Sequence, residues 1–476
     1  MVFLKRNLKK KSENLSEWYN RIILLSELAD YGPAKGTMIY RPYGYAIWEM
    51  IQRELDVRIK AKGVSNAYFP LFIPESLIKK EQSHIEGFSP ELAVVTIGGG
   101  EELTEKLVIR PTSETIMYDA YARWIHSWRD LPLMINQWNN VVRWEKRTYL
   151  FLRTTEFLWQ EGHTAHATHA EASDTVRWAM DTYAAVYREL FAIPGYIGRK
   201  SESERFAGAN VTLTYESLMP EGKALQSCTS HDLGQNFSKT FAIAFQNKKG
   251  VKEYVWQTSW GLSTRAIGGL IMVHGDDGGL CLPPRLAPIQ VIVMPIKEGD
   301  ALTAYAQKVF DILSSAYVRV KLDTDDNESM GSKINHWELK GVPVRIEVGA
   351  KEVGGGTVTA ARRDTGEKIS IPLDELVTEI PNLLSSIQDS LYEHALEHLK
   401  ENTRIVETYD EFKEVLATKK GFLRAFWCED ASCEAKIKEE TKATTRCLPL
   451  DTPEEKGECV YCHRPAKYRW LFAQAY

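Results

Sequence analysis

The chain has 476 residues, with 59 Lys and Arg against 64 Asp and Glu, a formal net charge of −5. Apolar residues make up 44% and charged residues 26%; this excludes a disordered chain, whose apolar content is too low to offset the entropy of ordering. No run approaches the ~18 apolar residues that span a bilayer, and the slight acidity excludes wholesale basic wrapping of nucleic acid while leaving room for a local basic surface.

The length predicts about three domains of ~150 residues. The basic stretch Met1–Lys11 has no apolar core and no small-residue cleavage site. It reads as a solvated tail rather than a secretory signal, with a weak RNA-touching arm as the alternative. Gly44–Lys62 reads as a helix, because Ile47, Ile51, Leu55 and Ile59 recur on one face and Gly63 is a fitting stop. Ala67–Ile73 and Leu107–Arg110 read as strands. Leu133–Trp144 and Thr154–His163 read as two strands joined by the charged loop Glu145–Arg153. A helix is expected over His169–Ala192, with Thr168 and Glu171 at capping-box spacing and Val176, Met180, Tyr183, Tyr187 and Leu190 as its apolar stripe. Tyr254–Trp260 reads as a strand and Leu262–His274 as a helix.

Three prolines in Pro283–Pro288 mark a boundary. Beyond it, strands and helices alternate: Ile289–Pro295, Ala301–Ala316, Val318–Leu322, Ser332–Leu339, Val342–Val348 and Gly356–Ala361. That grammar predicts an α/β module of roughly 100 residues. A helix at Leu383–Lys400 leads to a last unit.

Two segments carry chemistry. Arg143-Trp-Glu145 leaves the first strand of the 133–163 pair, and Arg153-Thr-Thr155-Glu-Phe157-Leu-Trp159-Gln-Glu161 enters the second. Guanidiniums offer a planar fork to phosphate, and an aromatic ring offers a stacking face to a base; cross-strand salt bridges are the alternative reading. Gly261-Leu-Ser263-Thr-Arg265-Ala-Ile-Gly268 is a glycine-flanked strand-to-helix junction bearing an Arg that could stack on a base, and a surface Arg at a helix start is its plain reading. His163, His166 and His169 straddle an expected strand end and helix start, so a shared metal face is not expected. Gly98–Gly100 and Gly354–Gly356 lack the P-loop pattern and read as turns.

Seven cysteines are too few for a disulfide framework, yet five crowd the last fifty residues. Cys428-x4-Cys433 and Cys459-x2-Cys462 are two close pairs some 25 residues apart, which suits a tetrahedral thiolate Zn²⁺ site, with Cys447 and His463 as spare ligands. Reduced, unliganded cysteines are the other possibility.

Together the hairpin and the Gly261–Gly268 junction resemble motifs 2 and 3 of the class II aminoacyl-tRNA synthetases, and Gly36–Pro70 resembles motif 1. Ala46–Glu49, Tyr68–Pro74, Glu86–Ala93, Arg110-Pro-Thr112-Ser-Glu114-Thr115, Phe206–Gly208, Thr229-Ser-His231 and Leu282–Val291 narrow the resemblance to the prolyl branch of that family, of archaeal/eukaryotic-like type. The resemblance implies a tail over 1–15 and an α+β catalytic domain over 16–284, an antiparallel sheet flanked by helices. An α/β anticodon-binding domain over 285–400 and a small zinc-binding α/β domain over 401–476 would follow.

The resemblance also implies site roles. Arg143 would grip the ATP α-phosphate and the proline carboxylate. Glu145, Arg153 and Thr155 would belong to the ATP site, Arg153 reaching the terminal phosphates. Phe157 and Arg265 would sandwich adenine, with Gln226, Thr229 and Ser263 beside them. Thr112 and Glu114 would receive the amino-acid nitrogen, and Trp159, Glu161, Phe206 and His231 would shape the proline pocket. Mg²⁺ would bridge the phosphates, and structural Zn²⁺ would sit on the four cysteines. L-proline, ATP and tRNA-Pro are the implied partners, with Lys340–Lys368 (Arg345, Glu347, Lys351, Arg362 and Arg363) the best anticodon-reading stretch. A cytoplasmic homodimer without membrane attachment is implied, and no editing of mischarged alanine in cis, because only about 100 residues separate Glu161 from Trp260. The rival readings are a catalytically silent, tRNA-binding paralogue and a sister synthetase for another small amino acid.

Overall fold

The computed structural model describes residues 8–80, 92–297, 299–325 and 327–476. The basic residues Met1–Asn7, and Glu86–Glu91 of the 86–93 segment, lie outside the described residues. Helix α1 (Leu15–Leu25) starts where the Asn14 side chain accepts from the Glu17 N–H. Helix α2 (Pro42–Ala61) has proline in its first turn, where a missing N–H costs nothing. Its stripe of Ile47, Ile51, Leu55 and Ile59 is fully buried, as the spacing predicts.

The first and larger part of the chain rests on one long sheet. Its strands are β1 (Ser65–Asn66), β2 (Leu133–Val142), β3 (Glu156–His166), β4 (Gly195–Arg199), β5 (Val211–Leu218), β6 (Ala224–Gly234) and β7 (Trp256–Ser263), in the spatial order β4-β5-β6-β7-β3-β2-β1. Apart from the short parallel pair β1/β2, neighbours run antiparallel. Strand alternation divides the side chains between two faces. Leu213, Tyr215, Trp260 and Leu262 point into a core shared with α1, α2, helix α4 (His169–Val186) and helix α5 (Arg265–His274). Their neighbours in sequence point to the opposite face, where the cavity described below opens. Helix α3 (Glu114–Trp124) closes one side of that face.

Several boundaries differ from the sequence expectation, each for a local reason. The expected strand Ala67–Ile73 is strand only at its end, Phe72–Pro74; Pro70, lacking an N–H, cannot join a ladder. The helix after Thr168 has the expected capping box but becomes a single π turn at Tyr187–Phe191. Helix α5 begins only at Arg265, because Leu262 and Ser263 still pair with Gln160 and Trp159. Lys11 is not a solvated residue: its ammonium donates to the Gly275 carbonyl at 2.6 Å, and burial pushes it down to about 8.

After the proline-rich segment a second sheet forms from β8 (Val291–Pro295), β9 (Val320–Leu322), β10 (Val344–Val348), β11 (Thr357–Arg362) and β12 (Lys368–Pro372). Its order is β9-β8-β10-β11-β12, parallel over the first three and antiparallel thereafter. Helices α6 (Asp300–Ser315), α7 (Met330–Leu339) and α8 (Leu376–Glu401) accompany it.

The C-terminal unit contributes strands β13 (Thr403–Ile405), β14 (Phe422–Phe426), β15 (Thr444–Pro449) and β16 (Arg469–Ala473), with helix α9 at Ala431–Thr441. They do not form a sheet of their own. Leu448 and Pro449 of β15 pair with Arg199 and Gly198 of β4, so the first sheet continues as 11 strands through β15-β16-β14-β13. No helix among the described residues is long and apolar enough to cross a membrane.

Candidate active site and cysteine cluster

On β3, Phe157, Trp159, Glu161 and His163 share one face by alternation. Ser259, Gly261 and Ser263 of β7, Thr229 and His231 of β6, and Thr212 of β5 continue that face by cross-strand pairing. The result is a cavity of about 260 Å³. Thr112, Glu114, Arg143, Phe157, Trp159, Glu161, Phe206, Gln226, Thr229, His231, Ser263 and Arg265 all line it, so residues read from six separate segments meet around one cavity. Gly162 is required beneath it: a Cβ there would fall 2.2 Å from the Trp260 indole.

The floor is a buried polar network. Glu161 is 2% exposed. Its carboxylate accepts from Asn139 Nδ2 at 2.7 Å, from the Ser113 N–H and Gln137 Nε2 at 3.3 Å, and from the Ser113 hydroxyl, with His163 Nε2 at 3.0 Å. Burial pushes its carboxyl up, but hydrogen bonds and charge from His163, then Ser113 and Asn139, outweigh it and hold it below the usual carboxylate range. Glu114 opens α3, where a negative group meets the positive end of the helix, and accepts from the Thr112 hydroxyl. Fully buried Arg110 fixes this loop under β2 through the Phe69 carbonyl at 2.7 Å and the Asn140 carbonyl at 2.9 Å. His231 sits with Nδ1 3.0 Å from Thr212 Oγ1 and its ring 4.6 Å from that of Phe206. Burial, then the neighbouring His163, pushes it down to about 3, so it is neutral.

The other side is cationic. The Arg143 guanidinium lies 5.5 Å from the ring centres of both Phe157 and Trp159, with Nε donating to the Pro111 carbonyl at 3.2 Å. Arg265 Nε donates to the Leu152 carbonyl at 3.0 Å. Burial, then the like charges of Arg143 and Arg153, pushes the Arg265 guanidinium down to about 10. Arg143 and Arg265 thus repel each other across a cavity where an anion would relieve them.

Glu145, Arg153 and Thr155 do not line this cavity. Glu145 and Arg153 pair at 3.7 Å on the loop between β2 and β3, and the Thr155 N–H donates to the Gly36 carbonyl at 2.8 Å. Arg153 and Arg265 both line an adjoining hollow of about 290 Å³. Sequence reasoning missed Glu204, in the loop after β4, and Thr212, Ser227 and Ser259, the last three of which become cavity residues only once the register of β5, β6 and β7 is known. It also passed over His163, whose parity with Phe157 and Glu161 on β3 was the available signal. The three spaced histidines have separate partners: His163 with Glu161, His166 with Thr164 at 2.7 Å and His169 with Asp232 at 2.7 Å.

In the C-terminal unit, the sulfurs of Cys428, Cys433, Cys459 and Cys462 all lie within 4.8 Å of one another, Cys428 and Cys462 at 3.6 Å. Four thiolates about 2.3 Å from a tetrahedral centre would stand ~3.8 Å apart, so this donor set fits Zn²⁺. Arg464 donates to Cys462 Sγ at 3.3 Å and Cys428 Sγ at 3.5 Å, and this contact favours the thiolate form of Cys462. The spare candidate Cys447 is not in this cluster; it is buried on β15 against Gly198.

Comparison with known proteins agrees with this architecture. Residues 95–274 match the family model described as tRNA synthetase class II core domain (G, H, P, S and T), and residues 290–383 match the anticodon binding domain. Fold and cavity together define a class II aminoacyl-tRNA synthetase. Residues 409–476 match the prolyl-tRNA synthetase C-terminal model. A proline–tRNA ligase of Chlorobium phaeobacteroides is 52% identical, covering 98% of both chains. Another, from Clostridium novyi, is 51% identical over 98% of this chain and 97% of its own. The crystal structure of prolyl-tRNA synthetase from Cryptosporidium parvum complexed with halofuginone and AMPPNP superposes with a TM-score of 0.95 at 46% identity, covering 98% of this chain and 99% of that one. The chain belongs to the proline–tRNA ligase family.

Proposed function

We propose that the chain activates L-proline with ATP to prolyl-adenylate and pyrophosphate, then transfers the prolyl group to the 3′ end of tRNA-Pro. One observation carries this reading: the cavity is cationic on one side, at Arg143 and Arg265, and carries the carboxylates Glu114 and Glu161 on its wall. A zwitterionic amino acid beside a polyphosphate has the complementary charges. In the activation step the proline carboxylate attacks the α-phosphorus while pyrophosphate leaves. Both reactants are anionic, so the guanidiniums screen their repulsion and hold them in line, and no side-chain nucleophile is needed.

Arg143 grips the carboxylate and the α-phosphate. Thr112 and Glu114 take the ring nitrogen, whose two N–H donors suit an acceptor pair. Trp159, Glu161, Phe206 and His231 enclose the ring. Phe157 and Arg265 sandwich adenine, beside Gln226, Thr229 and Ser263. Glu145, Arg153 and Thr155 serve ATP from the hairpin side, with Arg153 reaching the terminal phosphates. Mg²⁺, when bound, neutralises the phosphate oxygens. The 285–400 unit takes the anticodon loop.

The same reading extends to assembly. The motif 1 stretch exposes Tyr31, Ile39, Tyr45, Val57 and Tyr68 on its flanks, which supports a homodimer across this surface. The enzyme works in the cytoplasm. It hydrolyses no alanyl-tRNA-Pro in cis, although a pocket that fits proline rejects alanine by only a few kcal/mol.

Proline-dependent exchange of pyrophosphate into ATP tests the central claim. Exchange with proline is expected; its absence, or stronger exchange with threonine, overturns the reading. For the cysteines, one zinc per chain is expected in the wild type and loss of it in the Cys459→Ser/Cys462→Ser variant. Equal zinc in both would exclude the assigned ligands.

A further inference from the structure

Gln226 faces the cavity because β6 carries one extra residue. Strands β5 and β6 pair Thr212 with His231, Thr214 with Thr229, Tyr215 with Cys228, and then Glu216 with Gln226. Ser227 is unopposed. Without this bulge, alternation would turn Gln226 to the helix-covered face; with it, Gln226 points the same way as Thr229. The bulge is tied down behind by the Ser217 and Ser227 hydroxyls at 2.9 Å and by Tyr187 donating to the Ser227 carbonyl at 3.2 Å.

Directly opposite Gln226, on the cavity face, stands Glu216, which is wholly buried. It accepts from Thr214 Oγ1 at 2.9 Å, Lys200 Nζ at 2.9 Å, and Arg446 Nε and Nη2 at 3.0 and 2.8 Å. Burial pushes this carboxyl up, and Arg446, then Lys200, more than offset it. Arg446 belongs to β15, in the cysteine-bearing unit. A second polar bridge joins the same units: Glu434, beside Cys433 on α9, accepts from Ser201 Oγ at 2.9 Å.

Resting on the reading above, we propose that Arg446, acting through Glu216, is a positioning residue for the nucleotide: the C-terminal unit fixes the Ser227 bulge and so aims Gln226 at ATP. A buried ion pair with a specific geometric task is more informative than its net stabilisation, because removing one member exposes the geometry it enforced.

The test is Arg446→Met, which keeps the volume and leaves Lys200 and Glu216 as a balanced pair. Exchange kinetics should show the ATP KM raised on the order of 10- to 100-fold, with the proline KM within about twofold of wild type. Arg446→Lys, a point charge in place of a two-donor fork, should fall between. In a Gln226→Ala background, Arg446→Met should add nothing further. Calorimetric binding of a non-hydrolysable ATP analogue should weaken in parallel; this readout does not depend on which amino acid is activated, so it separates failure of this proposal from failure of the proline reading. An unchanged ATP KM in folded protein overturns the proposal. So does a joint fall in kcat and both substrate affinities with a lowered Tm, or a fully additive effect in the Gln226→Ala background. If Arg446→Met does not fold, the same KM split is read on Arg446→Lys, and its absence there also overturns the proposal.

Discussion

The cavity face of the catalytic sheet and the 291–372 sheet bury opposite kinds of side chain. The first encloses Gln137, Asn139, Glu161, His163, Thr212, Glu216 and His231; the second encloses Val291, Val293, Val344, Ile346 and Val348. An apolar strand gains stability simply from area removed from water. A buried polar face gains it only if each group finds a partner, and each lost partner is expensive. At Glu161 the catalytic sheet meets that condition by crowding donors: four residues serve that one carboxylate. What the polar face obtains in return is a rigid set of charges aimed into the cavity, which an apolar sheet could not supply. The comparison therefore predicts that substitutions in the first sheet act on chemistry and those in the second on stability.

The largest expected effect is at Arg143. Arg143→Ala removes a cation held between the Phe157 and Trp159 rings without opening the core beneath. Proline-dependent exchange should fall by about 10²–10³-fold, the cost of losing one preorganised group at a developing charge, with Tm within a few degrees of wild type. Loss of activity accompanied by a large drop in Tm would instead make Arg143 a structural residue and blur the contrast between the sheets.

The same contrast decides how much was legible beforehand. Strands β8 and β10 could be read directly, because strands covered on both faces are near-continuous runs such as Val291-Ile-Val-Met294. The β2–β3 hairpin was legible from Arg143, Phe157 and Glu161 and their spacing. Strands β4, β5 and β6 were not: Thr-Leu-Thr-Tyr-Glu-Ser over 212–217 is polar at every second position because that face lines a cavity, and without the register it is indistinguishable from a solvated strand. The Ser227 bulge was equally hidden, since a one-residue offset exists only relative to a partner strand. Twelve of the expected proline and ATP residues share the cavity, whereas Glu145, Arg153 and Thr155 do not; loop conformation between two strands is not encoded by strand periodicity. The continuity of the catalytic sheet into β15 was likewise invisible, because the cysteine spacing draws the eye to a self-contained unit.

A smaller effect concerns acid. His166 and His274 are pushed down to about 4 and His231 to about 3, in each case by burial first. All three belong to the catalytic half. Their folded values lie below the unfolded one near 6.5, so the unfolded chain binds more protons as pH falls. Stability is fully present above about pH 6.5 and is lost as pH drops toward the folded values, with a slope of about 1.4 kcal/mol per pH unit for each histidine. His274 lies 2.7 Å from the Phe191 carbonyl through Nε2. His274→Gln can keep a donor there without titrating. The loss of unfolding free energy between pH 7 and pH 5 should therefore shrink by about 2 kcal/mol in the variant. An unchanged pH dependence would place the acid sensitivity elsewhere.

The smallest effect sharpens the comparison from the apolar side. Ile346 is fully buried at the centre of the second sheet, paired with Val293 on one strand and Ala360 on the other. Ile346→Val deletes one methylene and leaves every hydrogen bond intact. Urea unfolding should show a cost of about 0.5–1.5 kcal/mol, while proline-dependent exchange, which needs only the cavity in the first sheet, should keep its kcat and both KM values. The two units meet through short contacts such as Arg363, just after β11, with Asp276, just after α5, at 2.6 Å, so a route for coupling exists. If the methylene deletion slowed exchange itself, the second sheet would be shaping the cavity through those contacts, and the division between a sheet for stability and a sheet for chemistry would fail at that interface.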